Sequence, residues 1–151
     1  MLLQEDQIFL DVTLSNRDDV LDFISSKAEE LGVIQNKEKL VQDLISRENT
    51  YSTAFQEGIA IPHAKSTTVN NAALFFLKMN EKIDWNSPDH FKVRFVFAIL
   101  VPTEEAGTRH LQILSALAGN LMEEEFQESL SKIEIKEDVL NLLKSVEKEV
   151  V

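Results

Sequence analysis

Cysteine is absent from this chain of 151 residues, and glycine (4), proline (3), tryptophan (1) and tyrosine (1) are scarce. Without cysteine the chain can form no disulfide, no thiolate metal site and no thiol nucleophile. Its longest apolar runs, 72–77 and 95–101, fall well short of the ~18 residues that cross a bilayer. The first residues lack the basic segment of a secretory signal. We therefore expect a cytoplasmic protein whose chemistry rests on histidine, hydroxyl, carboxylate or lysine groups.

Positive charge is also in short supply. Asp and Glu number 26 against 15 Lys and Arg, which gives a formal net charge of −11. Nucleic-acid binding depends on basic residues that displace counterions, and no basic tail or stripe occurs here. The composition therefore argues against a nucleic-acid partner, and a phosphate ligand would need local donors that outweigh the acidic background.

The apolar pattern alternates between strand and helix periods along the chain. It predicts strands over 8–14, 58–61, 72–79 and 93–101, with the residues of even number in the first strand on one face. The last two are nearly continuous apolar runs, as in a sheet covered on both faces. Residues 50–57 show no period and are predicted to be a loop. Pro62 should end the strand before it, which leaves His63 just past a carboxyl end.

Five helices are predicted, two between the first and second strands and three after the last strand. The first begins at Ser15, which forms a capping box with Asp18, and the second begins near Asn36 and ends near residues 48–49. A third begins at an N-cap on Thr108, and two more cover the apolar stripes around 126–130 and 139–146. The interleaving predicts one domain, residues 1–151, with an α/β fold. We expect a three-layer sandwich with a mixed, mostly parallel sheet of about five strands flanked by helices.

His63 follows the strand in the segment Gly58-Ile59-Ala60-Ile61-Pro62-His63-Ala64-Lys65. A metal site is disfavoured because the three histidines are far apart and no His-Glu-x-x-His motif occurs. A serine hydrolase would need a Gly-x-Ser-x-Gly elbow, which is absent. A neutral imidazole is available at pH 7 as a nucleophile toward phosphorus and forms a labile phosphoramidate. A structural role is more common for a single histidine at a strand end, but its surroundings favour phosphoryl chemistry.

Two residues elsewhere are candidates to assist His63. Arg47, at the end of the second helix, can offer a planar fork to phosphoryl oxygens, and His110, in the first turn of the third helix, can add a donor. Taken singly, Arg47 is more typical of a solvated helix end, and His110 of a residue that interacts with its own helix. His90 lies in a polar turn and matches no motif, so we assign it no role.

The chain contains the motifs Arg47-Glu48, Ser52-Thr53, the segment 58–65 above and Gly107-Thr108-Arg109-His110-Leu111-Gln112-Ile113-Leu114. Together these motifs resemble the IIA domain of the fructose/mannitol class of the bacterial phosphoenolpyruvate-dependent sugar phosphotransferase system. The resemblance covers nearly the whole chain and implies an α/β sandwich without a cofactor. It implies that His63 accepts a phosphoryl group from the carrier protein HPr and passes it to a cysteine of IIB, with Arg47 and His110 in the same site. The membrane would be reached only through IIC.

The segment before His63 departs from the fructose-type pattern Thr-Gly-Ile-Gly-Asn-Gly. Here it reads Thr53-Ala54-Phe55-Gln56-Glu57-Gly58. Alanine and glutamine resist a positive φ, so we expect a different backbone course at Ala54 and Gln56. Thr53 and Glu57 are candidate substrate-binding residues, and an acid at the position of Glu57 resembles the mannitol-like branch.

The leading prediction is therefore a phosphotransferase that serves uptake of a fructose-like sugar or a hexitol. One alternative is a regulatory module whose phosphohistidine state controls a transcription regulator or an enzyme. A third is a binding domain that has lost phosphoryl transfer. The sequence alone leaves open the sugar, the phosphorylated ring nitrogen and the oligomeric state.

Overall fold

A computed structural model describes residues 2–56, 58–105 and 109–149. Within these ranges the chain forms six strands and five α-helices, with single 3-10 turns at Glu5–Gln7 and Thr103–Glu105. The strands are β1 (Ile8–Val12), β2 (Ala54–Gln56), β3 (Gly58–Ala60), β4 (His63–Ser66), β5 (Ala73–Asp84) and β6 (Lys92–Pro102). The helices are α1 (Arg17–Glu30), α2 (Lys37–Thr50), α3 (Arg109–Leu121), α4 (Glu124–Ser131) and α5 (Lys136–Glu149).

The strands form one mixed sheet in the order β1-β5-β6-β3-β2, and β4 also pairs with β6. The pairings β1–β5, β3–β6 and β4–β6 are parallel, whereas β2–β3 and β5–β6 are antiparallel. β3 and β4 therefore lie end to end along β6. This arrangement brings the start of β4 to the carboxyl-terminal half of β6, where His63 pairs with Ile99.

Both faces of the sheet are covered by helices. On β6, Phe97 and Ile99 contribute to the core under α3, α4 and α5, whereas Val96 and Ala98 contribute to the core under α1 and α2. All four side chains are fully buried. Side chains alternate across a strand, so a strand that is covered on both faces needs a continuous apolar run. The predicted three-layer α/β sandwich is confirmed.

The start of α2 agrees with the prediction, whereas the cap of α1 differs from it. Asn36 caps α2, and its side chain accepts a hydrogen bond from the Lys39 amide at 2.9 Å. The cap of α1 is Asn16 and not Ser15, because the Asn16 amide oxygen accepts from the Asp19 amide at 2.9 Å. The capping-box prediction was wrong by one residue, since either polar side chain can take this role. The predicted cap at Thr108 lies outside the described residues.

The first strand does not keep one alternation along its length. Asp11 has a φ of 56°, and the register with β5 shifts between Phe9 and Val12. An extra residue in a strand reverses which face the following side chains occupy. Ile8 therefore packs in the core under α3 to α5, whereas Val12 packs in the core under α1 and α2. The prediction of a single apolar face over residues 8–14 was wrong for this reason.

The segment predicted as a loop is more ordered than its pattern indicated. Helix α2 continues to Thr50, and the short strand β2 pairs with β3 in an antiparallel manner. Ala54 and Gln56 do not adopt a positive φ, as expected for these residue types. Gly58 has a φ of 94°, which only glycine adopts without strain. The chain therefore enters the histidine segment from a strand and not from a glycine-rich loop.

Among the described residues, no helix combines the length and the apolar character that crossing a bilayer would require.

Candidate functional site

His63 begins a strand, whereas the sequence analysis placed it only after the end of one. β3 ends at Ala60, two residues before Pro62, but the Pro62 carbonyl accepts a hydrogen bond from the Ile99 amide at 3.0 Å and the chain stays against β6. β4 then starts at His63 itself. The backbone before and after His63 is hydrogen-bonded to β6, and only 7% of the residue is exposed.

Each ring nitrogen of His63 has a defined partner. Nδ1 lies 2.8 Å from the carbonyl oxygen of Ile61, and Nε2 lies 3.2 Å from Nε of Arg47. A carbonyl can only accept and a guanidinium can only donate, so Nδ1 carries the proton and Nε2 presents a lone pair. The geometry thereby selects the neutral tautomer in which Nε2 carries the free lone pair of the ring and accepts from Arg47.

The surroundings favour this neutral form. Burial lowers the pKa of His63 below its ordinary value of 6.5, and the positive charge of Arg47 lowers it further. The hydrogen bond to the Ile61 carbonyl acts in the opposite direction, because imidazolium would donate there as well, but burial is the largest cause. A histidine with a lowered pKa is unprotonated at pH 7 and can act as a nucleophile.

Arg47 is positioned by the end of α2. Its Nη1 donates to the carbonyl of Tyr51 at 2.6 Å, and the Tyr51 amide donates back to the Arg47 carbonyl at 3.3 Å. The guanidinium is therefore anchored at one nitrogen while Nε faces the imidazole. Because the group is planar, the anchor also fixes the direction of its other donors.

Two clefts open on either side of the His63–Arg47 pair. One, of about 450 Å³, is also lined by Asp43, Lys65 and Leu111. The other, of about 650 Å³, has an apolar wall that includes Leu114. Both leucines belong to the first turns of α3, so this helix borders the histidine on the solvent side. Among the residues that line the smaller cleft, Arg47 and Lys65 contribute two positive charges against the one negative charge of Asp43, so the cleft is locally positive within an acidic protein.

The sequence analysis named Glu48 only as part of the Arg47-Glu48 motif and did not predict that it is a buried carboxylate. Glu48 is only 4% exposed, and its Oε1 accepts hydrogen bonds from the Thr53 amide at 3.0 Å and from Trp85 Nε1 at 3.1 Å. Its Oε2 bonds to the Thr53 hydroxyl. The signal was the spacing: Glu48 follows Leu40 and Leu44 at intervals of four on the buried stripe of α2.

The other predicted site residues have different places. Thr53 is buried, and its hydroxyl and amide both bond to Glu48. His110 is the second residue of α3, next to Leu111 of the smaller cleft. The side chain of His110 and the whole of Glu57 lie outside the described residues.

His90, to which we assigned no role, lies in the turn between β5 and β6 with a φ of 58°, on the exposed surface. Across the described ranges, no three His, Asp or Glu side chains are grouped so as to hold a metal ion.

Solved structures define the class of this fold. The nitrogen regulatory protein IIA-Ntr from Neisseria meningitidis superposes with a TM-score of 0.87 at 29% identity, covering 95% of this chain and 97% of that one. The mannitol IIA of Escherichia coli gives a TM-score of 0.79 at 23% identity, covering 95% and 99%. The sandwich described above is thus the fold of IIA proteins.

The sequence then identifies the family. The chain belongs to the family described as "Phosphoenolpyruvate-dependent sugar phosphotransferase system, EIIA 2", which it matches over residues 1–146. It is 33% identical to the fructose-specific EIIA component of Haloferax volcanii, over 92% of this chain and 90% of that protein. It is 31% identical to the fructose-specific EIIABC component of Bacillus subtilis, over 97% of this chain. The resemblance inferred from the motifs is confirmed.

The relatives differ in how much of their length the chain matches. It spans 23% of the Bacillus subtilis EIIABC component and 22% of the 2-O-alpha-mannosyl-D-glycerate-specific EIIABC component of Escherichia coli. The chain is therefore similar to one part of these composite transport proteins. Membership of the family establishes a phosphotransferase role in general terms.

Proposed function

We propose that this chain is a phosphocarrier that accepts a phosphoryl group from phospho-HPr on Nε2 of His63 and passes it to a cysteine of a IIB partner. The observation that carries the proposal is the tautomer of His63. Its Nδ1 donates to the Ile61 carbonyl, and its Nε2 lone pair lies in a cleft beside a guanidinium. The carrier protein and IIB come from the family and from the composite architecture of the relatives.

The transfer step balances without a cofactor. The Nε2 lone pair attacks phosphorus in line while the bond from phosphorus to the donor nitrogen breaks, and the Nδ1 proton stays on the ring. The ring then carries a positive charge, which the Ile61 carbonyl stabilises through the same hydrogen bond. In the return step the cysteine thiolate of IIB attacks the phosphorus and His63 leaves as the neutral imidazole.

Arg47 has two successive roles in this proposal. Its Nε donates to Nε2 before transfer, so it must release that atom when phosphorus arrives. Its remaining donors then face the phosphoryl oxygens and neutralise developing charge, which is the main catalytic requirement of phosphoryl transfer. His110, at the amino end of α3, is the proposed second donor, and the amides of that helix end favour an anion in the same place.

Thr53 and Glu57 have supporting roles in the proposal. The Thr53 hydroxyl bonds to Glu48, so we assign Thr53 to shaping the wall of the larger cleft. We propose that Glu57 orients the group that accepts the phosphoryl group, or orients a histidine ring by accepting a hydrogen bond from its N–H. Direct contact with the phosphoryl group is disfavoured, because the carboxylate would repel the phosphate oxygens. We propose a fructose-like sugar or a hexitol as the transported substrate, and two of the relatives are named for fructose.

The decisive experiment is phosphorylation with labelled phosphoenolpyruvate, enzyme I and HPr. Wild type should take up acid-labile, alkali-stable label, and His63→Ala should take up none. His90→Ala is the matched control, because it removes an exposed histidine from a turn and should label normally. No label on wild type would overturn the proposal.

Two further arms sharpen the result. The phosphohistidine should have the ³¹P shift and the stability of the Nε2 isomer, and an Nδ1 isomer would contradict the tautomer argument. Addition of IIB proteins should then remove the label. Label that persists with every IIB of the host would indicate the regulatory role and not transport.

A further inference from the structure

Glu48 is a buried carboxylate that the proposed transfer step does not use. It lies on α2 directly after Arg47, is 4% exposed, and bonds to three donors on two other segments. Placing a carboxylate in a core is costly unless every acceptor is satisfied. An apolar residue would continue the buried stripe of Leu40 and Leu44 at a lower desolvation free energy. The hydrogen bonds that Glu48 makes therefore indicate a role beyond packing.

Through residues 51–53, the hydrogen bonds of Glu48 position the partners of both ring nitrogens of His63. On one side, Glu48 holds Thr53, and the Thr53 carbonyl accepts from the Ile61 amide at 3.0 Å. The Ile61 carbonyl in turn accepts from His63 Nδ1 at 2.8 Å. The position of the atom that fixes the tautomer therefore depends on Thr53, and Thr53 is anchored on Glu48.

On the other side, the segment held by Glu48 also anchors Arg47. Tyr51 lies two residues before Thr53, and its carbonyl accepts from Arg47 Nη1 at 2.6 Å. Arg47 Nε then donates to His63 Nε2 at 3.2 Å. A shift of residues 51–53 would thus move the acceptor of Nδ1 and the donor to Nε2 together.

The third bond ties this segment to the sheet. Trp85 Nε1 donates to Glu48 Oε1 from the residue that follows β5, and the indole is fully buried. An indole N–H can only donate, so Glu48 supplies an acceptor that an apolar side chain would lack. Glu48 therefore links the end of α2, the 51–53 segment and the end of β5.

We propose that Glu48 is the positioning residue of the phosphorylation site, holding residues 51–53 so that His63 keeps its Nδ1–H tautomer and its contact with Arg47. This inference rests on the proposed function of His63. Glu48 touches neither the imidazole nor the phosphoryl group in this scheme, and it acts through Tyr51 and Thr53.

The test compares Glu48→Ala with Glu48→Gln. Glutamine can reproduce the arrangement: its carbonyl oxygen accepts from the Thr53 amide and from Trp85, and its amide donates to the Thr53 hydroxyl. We expect Glu48→Ala to transfer phosphoryl groups about tenfold or more slowly, since misplacement of reacting groups by about 1 Å can cost 10²-fold. Glu48→Gln should recover most of the rate. Equal loss in both variants would overturn the positioning role.

Loss of stability alone must be separated from loss of positioning. Leu21→Ala removes a fully buried side chain from α1, in the core that also contains Trp85, but deletes no hydrogen-bonding side-chain group, and serves as the control of comparable destabilisation. It should transfer at the wild-type rate. If it loses as much activity as Glu48→Ala at equal stability, the proposal fails. If Glu48→Ala does not fold, Thr53→Val removes the hydroxyl bond alone and should give a smaller loss of the same kind.

A readout without phosphorylation keeps this inference distinct from the proposed function. In ¹⁵N NMR spectra the wild type should show a protonated Nδ1 and an unprotonated Nε2 for His63. Glu48→Ala should show a mixture of tautomers and a shifted Arg47 Nε–H signal, whereas Leu21→Ala should not. Unchanged signals in Glu48→Ala would overturn the inference even if the wild type takes up label, and an unlabelled wild type would overturn only the proposed function.

Discussion

Nε of Arg47 lies 3.2 Å from Nε2 of His63, so the nitrogen that we propose as the nucleophile contacts the cation that is proposed to assist it. The contact orients the ring, lowers the pKa of His63 and places a donor where phosphoryl oxygens would arrive. Phosphorylation must break it, because one lone pair cannot serve both the guanidinium and phosphorus. The resting contact and the product contact are thus alternatives for the same arginine.

Removal of Arg47 should slow phosphoryl transfer more than it alters stability. We expect Arg47→Ala to reduce the transfer rate by about 10²- to 10³-fold, the range for loss of one preorganised donor to a developing anion. Arg47→Lys should recover only part of the rate, because lysine keeps the charge without the planar fork. Rapid-quench labelling measures both. Arg17→Ala removes a comparable charge at the start of α1 and should be neutral; a slow Arg17→Ala would point to overall charge instead.

The protonation of His63 gives a prediction with a definite sign. Its folded pKa is lowered, so between that pKa and about 6.5 the unfolded chain binds more protons than the folded one. The free energy of unfolding should therefore decrease as the pH falls through this window. The ring signals of His63 in NMR should titrate with a midpoint below 6.5. A midpoint at or above 6.5 would contradict the dominance of burial.

Arg47→Gln should move that midpoint in a known direction. The positive charge of Arg47 disfavours imidazolium, so its removal should raise the pKa of His63 toward the ordinary value. Burial remains in the variant, and the midpoint should stay below 6.5. A midpoint that falls in Arg47→Gln would show that the charge of Arg47 is not felt at the ring.

Leu111 is expected to contact the phosphoryl donor. It is 60% exposed at the start of α3 and lines the same cleft as His63. Leu111→Asp should raise KM for phospho-HPr about tenfold with little change in kcat, because a buried unpaired carboxylate weakens an interface. Met122→Asp is the matched control: Met122 is 72% exposed just past the far end of α3, roughly 16 Å along the axis. Equal effects of both variants would refute a docking role for Leu111.

Trp85→Phe tests the buried bond to Glu48. Phenylalanine keeps most of the apolar contact but removes the indole donor, so we expect a loss of about 2 kcal/mol in the free energy of unfolding. Urea denaturation followed by circular dichroism measures it. In a Glu48→Leu background the same substitution should cost less, because the acceptor is already gone. Additive costs would mean that the bond contributes little.

The sequence by itself determined the class of fold, the family and the candidate histidine. Continuous apolar runs at 72–79 and 93–101 predict strands covered on both faces, and the core confirms it. These features depend on local periodicity and on residues adjacent in the chain, which a sequence records directly. The start of α2 near Asn36 is of the same kind, since the amide that the Asn36 side chain caps lies three residues away.

Features that depend on contacts between distant segments were decided only by the tertiary structure. The bulge at Asp11 places the side chains that follow it on the face opposite to the predicted one. The pairing of β4 with β6 makes His63 the first residue of a strand, whereas the sequence predicted that it only follows one. The tautomer of His63 depends on a carbonyl two residues back and a guanidinium on α2. The role of Glu48 depends on Trp85, 37 positions away. Hydrogen bonds require donors and acceptors within about 3 Å of each other, and only the folded chain brings those atoms together.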